Sequence, residues 1–166
     1  MQIEIIKGTN HDTLRVTRAD GSIDEAQVVK KGPVPHDGVH FAVESGLKFG
    51  NAFFGLIAAG RHPDDIAGLA SAMGHSSAKK ARVPDPSIVE LIQAERLVEC
   101  FEAEVWGGPA DLETLQSVVD AAFSASLVPR VVLTSDGLAA VRARIDQLKA
   151  DWLPLKTGSS LRYDWP

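Results

Sequence analysis

The sequence predicts an α+β fold, a small antiparallel sheet packed against five to six helices. The first thirty residues alternate apolar and polar side chains around a tight-turn signal. The middle of the chain carries apolar residues at helical spacing between proline and glycine stops. The last residues return to alternation, with Leu161, Tyr163 and Trp165 separated by Arg162 and Asp164. A length of 166 residues suits one domain, spanning 1–166, with a sizeable core.

Gln2 to Lys7 reads as a first strand with Ile3 and Ile5 on one face, and Thr13 to Thr17 as a second with Leu14 and Val16 two apart. Ala19-Asp20-Gly21-Ser22 is a turn, because Asp-Gly readily supplies the positive φ angles of a tight hairpin. Ile23 to Val29 returns as a third strand. Such a meander is marginal alone, so its apolar face needs a layer of helices. The C-terminal segment Leu161–Trp165 needs a partner strand and is expected to find it between Gln2 and Val29.

Gly32-Pro33-Val34-Pro35 ends the strand pattern, and Pro35 can open a helix because its missing N–H is not needed in the first turn. That helix is expected from about Pro35 to Lys48, ending near Gly50-Asn51. Ala52 to Ala59 reads as a short buried helix closed by Gly60. Arg61-His62-Pro63-Asp64-Asp65 starts another, with His62 capping and the aspartates favourable in the first turn. It carries Ile66, Leu69, Ala70 and Met73 and stops at Gly74. His75 to Asp85 is polar, basic and bounded by proline, as expected of an exposed connection. A long helix follows from about Pro86 to Trp106, and another from near Asp111 to before Pro129. Val131-Val132-Leu133 fits no one element type. Ser135 or Asp136 caps a last helix that runs to about Trp152.

Composition narrows the function. The net charge of −5 argues against a nucleic-acid partner, which needs a basic face. Lys79-Lys80-Ala81-Arg82 is the one basic cluster and reads as a solvated helix end or loop. No apolar run approaches the roughly 20 residues that span a bilayer. The start, Met1-Gln2-Ile3-Glu4-Ile5-Ile6, lacks the features of a signal peptide, so a cytoplasmic protein without a membrane partner is expected. Cys100, the single cysteine, permits neither an internal disulfide nor a Cys-rich zinc site. No nucleophile elbow, phosphate loop or dinucleotide fingerprint occurs.

The stretch from Pro33 to Glu44 carries the strongest chemical signal. His36 and His40 stand four apart, with Asp37 beside the first and Glu44 four residues past the second. At about 100° per residue, both histidines share a side with Val39, Val43 and Leu47, and Asp37 and Glu44 fall at its edge. Buried imidazoles need partners, because an unsatisfied buried polar group costs about 1–3 kcal/mol. A metal ion or a carboxylate would serve. The alternative is that His36 and Asp37 cap the helix start and His40 bonds a backbone carbonyl.

His36-Asp37-Gly38-Val39-His40 resembles the H-E-x-x-H signature of zinc proteases, with Asp in the Glu position. The resemblance covers five residues and implies two imidazoles on one metal with a carboxylate at the bound water. Asp37 is one methylene shorter than Glu, and no downstream motif supplies a third ligand, so protease activity is not carried over. A second signal lies on the Pro86–Trp106 helix, where Glu95, Glu99 and Glu102 form one stripe among Ile88, Leu91 and Trp106. Carboxylates facing a core want His, Arg or a metal as partners, whereas the same stripe in solvent would want none.

Two functions fit. One is a small metal-dependent, hydrolase-like enzyme or metal-binding protein. It would hold a divalent metal such as zinc through His36, His40 and Glu44 or Glu95, with Asp37 orienting an imidazole or acting as base. The other is a non-enzymatic interaction or scaffold domain in which these residues form a buried structural network. A small molecule or a protein suits either as partner, and a homo-oligomer is compatible with both.

Overall fold

The computed structural model describes residues 1–72 and 83–166. The expected Met73–Gly74 helix end, His75-Ser76-Ser77 and the Lys79–Arg82 cluster lie outside the described residues. The architecture is α+β. Strands β1 (Gln2–Ile6), β2 (His11–Thr17) and β3 (Ile23–Val29) form an antiparallel meander. The C-terminal strand β4 (Ser160–Asp164) pairs antiparallel with β1, giving the order β3-β2-β1-β4. Ile3 faces Val16 on one side and Tyr163 on the other; Ile5 likewise sits between Leu14 and Leu161. This register puts Ile3, Ile5, Leu14 and Val16 on one buried face, as the period of two requires.

Among the described residues the helices are α1 (His36–Leu47), α2 (Phe53–Ala58), α3 (Pro63–Ala72), α4 (Val89–Gly107), α5 (Leu112–Ala125) and α6 (Ser135–Trp152). Helix α1 is central. Phe41 stacks on Tyr163 of β4 with ring centroids 4.5 Å apart. The other sides pack on α6 and α4. Contact with α6 is close because two glycines permit it. A Cβ on Gly38 would lie 2.8 Å from Leu148, and one on Gly46 would lie 2.7 Å from the Val141 side chain and 3.2 Å from its backbone. The third side of α1 carries His36 and His40 against α4.

Several boundaries differ from the sequence expectation. Helix α1 ends at Leu47, one residue short of the expected Lys48, which takes the left-handed conformation (φ 61°) while its N–H caps Glu44 O. Pro86–Ile88 forms a separate 3₁₀ turn, capped by Asp85, before α4 begins. Helix α6 is capped by Thr134, whose hydroxyl accepts from Gly137 N–H, rather than by Ser135 or Asp136. All three residues are competent caps; the extended backbone at Thr134 (ψ 156°) decides which one is used. Val131–Leu133 is neither strand nor helix. No described helix is long and apolar enough to cross a membrane.

Candidate metal centre

His36 and His40 lie one turn apart at the start of α1, their ring centroids 4.8 Å apart and their planes at 79°. Pro35 is the N-cap and no side chain caps the helix, so neither His36 nor Asp37 does so. Each imidazole has a carboxylate on Nδ1. His36 Nδ1 lies 2.8 Å from Glu102 Oε1, and His40 Nδ1 lies 3.0 Å from Glu44 Oε1. Such a partner keeps a proton on Nδ1 and leaves Nε2 as the ligand atom of the neutral ring. Both Nε2 atoms face Glu95, His40 at 3.6 Å from Oε1 and His36 at 4.0 Å from Oε2.

The α4 stripe divides in the structure. Glu95 and Glu102, seven residues apart and hence on one face, meet the histidines. Glu99 is half exposed and pairs with Arg96 instead. Trp106, expected beside the stripe, is 71% exposed. The other side of α4 also faces the interior, with Gln93, Arg96 and Cys100 buried. Cys100 is an inert packing residue, its thiol pushed up to about 11 by burial and by the Glu99 charge.

Glu44 is fully buried, and both its oxygens are engaged: Oε1 with His40 and Oε2 with Phe54 N–H at 3.0 Å. It stands behind His40 rather than among the grouped ligand atoms, which belong to His36, His40 and Glu95. Burial raises the Glu44 carboxyl, opposed by His40 and the Phe54 N–H. For His40, burial is the largest influence and disfavours the charge. The Glu95 and Glu44 carboxylates together outweigh it and lift His40 to about 10. The His40 Nδ1–H and the Phe54 N–H together give both Glu44 oxygens a donor.

Donor chemistry and spacing fit a divalent ion. One atom each from His36, His40 and Glu95 lie within 4.8 Å of one another. Ligand atoms on a tetrahedral zinc stand about 3.4 Å apart, given bonds near 2.1 Å. The 3.6 Å and 4.0 Å separations to Glu95 already approach this value, and small rotamer shifts would close the remainder. The cluster borders a pocket of about 240 Å³ whose far walls come from β2, β3, α2 and α3. Asp37 lines the same pocket. It is buried, its Oδ2 has no hydrogen-bond partner among the described residues, and burial raises its carboxyl despite the opposing His36 and His40.

Sequence reasoning did not assign Glu102 to His36, although the α4 stripe contained it. It also missed Phe53, whose ring lies 5.3 Å from His40, and the β3 and α3 walls of the pocket. His62 behaves as expected, its Nδ1 accepting from Asp64 N–H at 3.2 Å. The geometry defines an α+β protein with a His–carboxylate cluster at ligand spacing beside a pocket. No family model, curated protein or solved structure matches this chain.

Proposed function

We propose that this chain is a divalent-metal protein with hydrolase-like chemistry, in which His36 Nε2, His40 Nε2 and Glu95 hold the ion. The observation that carries this reading is the double pairing: each Nδ1 has its own carboxylate while both Nε2 atoms face a third. Oriented imidazoles of this kind are the usual surroundings of a metal site, because the outer carboxylate fixes the tautomer and raises ligand basicity. Two imidazoles and one carboxylate suit zinc, iron or manganese and leave positions for water and substrate. A bound divalent ion supplies a water acidified to near pH 7. Asp37, which lines the same pocket and has an Oδ2 unpartnered among the described residues, would be the group placed to take a proton there. Glu44 and Glu102 orient His40 and His36.

A second reading has its own support. The His40–Glu44–Phe54 chain of bonds ties α1 to α2 without any ion and would serve a non-enzymatic scaffold equally well. Metal analysis of protein purified without a His tag separates the two. The metal reading expects one zinc, iron or manganese per chain, lost in His40→Ala, which removes one of two nitrogen ligands. Stoichiometric uptake that survives His40→Ala rules out this site. No uptake by the wild type near neutral pH leaves the scaffold reading, in which His40→Ala costs stability alone.

A further inference from the structure

The pocket beside the histidines has a chemistry of its own. Its walls away from His36, His40, Asp37 and Glu95 are mostly hydrocarbon: Leu14 from β2, Ala26 and Val28 from β3, Phe53 from α2, and Ala67 and Ala70 from α3. Lys31 and Asp64, both exposed, bring opposite charges to the lining, so the wall asks no net charge of an occupant. A volume of about 240 Å³ holds about eight groups the size of a water molecule, at about 30 Å³ each. The polar groups are concentrated on α1 and α4, and the apolar surface faces them across the cavity. A ligand matching this division has one oxygen-bearing head and a short aliphatic body.

We propose that the pocket selects small, uncharged, chiefly aliphatic ligands of about eight non-hydrogen atoms, held by an oxygen-bearing head at the His36–His40–Glu95 cluster with the chain against Leu14, Ala26, Val28 and Phe53. This rests on the metal reading above and names the ligand class that reading leaves open. A longer chain would run past the hydrocarbon walls into the open mouth and gain no further burial. A charge seated part-way, among Leu14, Ala26, Val28 and Phe53, is disfavoured because it would be desolvated against hydrocarbon.

The test uses Co²⁺-loaded full-length protein and straight-chain aliphatic hydroxamates, from acetohydroxamate to octanohydroxamate. These present a constant metal-binding head and a variable chain, and the visible spectrum of the cobalt reports binding. Affinity is expected to rise about fourfold per methylene as the chain is buried, and to stop rising at about five acyl carbons, where head and chain fill the pocket. A three-carbon chain ending in an ammonium or a carboxylate, whose charge would sit among the hydrocarbon walls, should bind at least tenfold more weakly than its neutral counterpart, since burying an unpaired ionic end is costly. Ala67→Phe supplies the control. Ala67 is exposed on α3 and belongs to the lining, so the larger ring narrows the pocket without disturbing the core or the cluster. That variant should take up Co²⁺ as the wild type does, but lose the gain with chain length. Cobalt uptake with an affinity flat across the series, or equal binding of charged chains, overturns this inference and leaves the metal reading standing. Absence of cobalt uptake by the wild type overturns both.

Discussion

Replacing Glu44 by glutamine tests whether His40 is held as a ligand or merely buried. In the wild type the carboxylate accepts from Phe54 N–H and from His40 Nδ1, each at 3.0 Å, in a fully buried position. Glutamine has the same size, so no cavity opens. Its single carbonyl oxygen can serve Phe54 N–H, which bonds Glu44 Oε2 in the wild type. The amide NH₂ then faces His40 Nδ1, which must give up its proton and become an acceptor. The ring proton moves to Nε2, the atom directed at Glu95 and the one a metal would need. Loss of the orienting carboxylate should therefore weaken metal binding about 10–100-fold.

Stability responds differently, and that difference identifies the cause. Glu44→Gln exchanges charge-assisted bonds for neutral ones but also removes a buried charge, so a net loss of about 1–2 kcal/mol is expected. Glu44→Ala leaves the Phe54 N–H and the His40 ring both buried without their partner and should cost about 3–5 kcal/mol. Urea unfolding of the metal-free proteins measures the stability series, and competition with a chromophoric zinc chelator measures affinity. A Glu44→Gln variant that binds zinc within about twofold of wild type would refute the tautomer argument. Equal destabilisation by glutamine and alanine would refute the claim that the two buried donors depend on this carboxylate.

Glu102→Gln should weaken zinc binding about tenfold through His36, while Glu99→Gln, on a carboxylate that pairs only with Arg96 among the described residues, should leave it within about twofold; the same chelator competition reads both. In metal-free protein, His40 is raised above its unfolded value of about 6.5 to about 10. Its favourable contribution is therefore fully present below about pH 6.5 and is lost as pH rises through about 10, so the urea midpoint should fall over that window in wild type and fall less in His40→Ala. Gly46→Ala would put a methyl 2.7 Å from Val141 Cγ2 and 3.2 Å from backbone, and should destabilise by about 1–3 kcal/mol, an unchanged melting temperature being the contrary result.

What could be read from the sequence follows from the range of the interaction that decides each feature. Leu161–Trp165 announced a strand because alternation is local, and an unpaired sheet edge near Gln2–Val29 left it one place to go. His36 and His40 announced a shared face because four residues make about one helical turn, and Glu95 and Glu102 did so because seven make about two. Local spacing says nothing of which carboxylate meets which nitrogen. Glu44 was nominated as a ligand because its spacing from His40 repeats that of His40 from His36. Phe54 N–H, ten residues on and in another helix, engages its second oxygen and sets it behind the ring. Glu99 was indistinguishable from its neighbours on α4 until Arg96 claimed it. The pocket was least legible of all. Its walls combine β2, the edge strand β3, the short helices α2 and α3, and one side each of α1 and α4, and no local spacing in the sequence says that these meet. The candidate ligand atoms are thus encoded in helical periodicity, whereas the surroundings that would choose an ion's substrate depend on tertiary packing. That division is why the Ala67→Phe and Glu44→Gln variants should separate cleanly, one changing what the site accepts and the other whether it holds a metal at all.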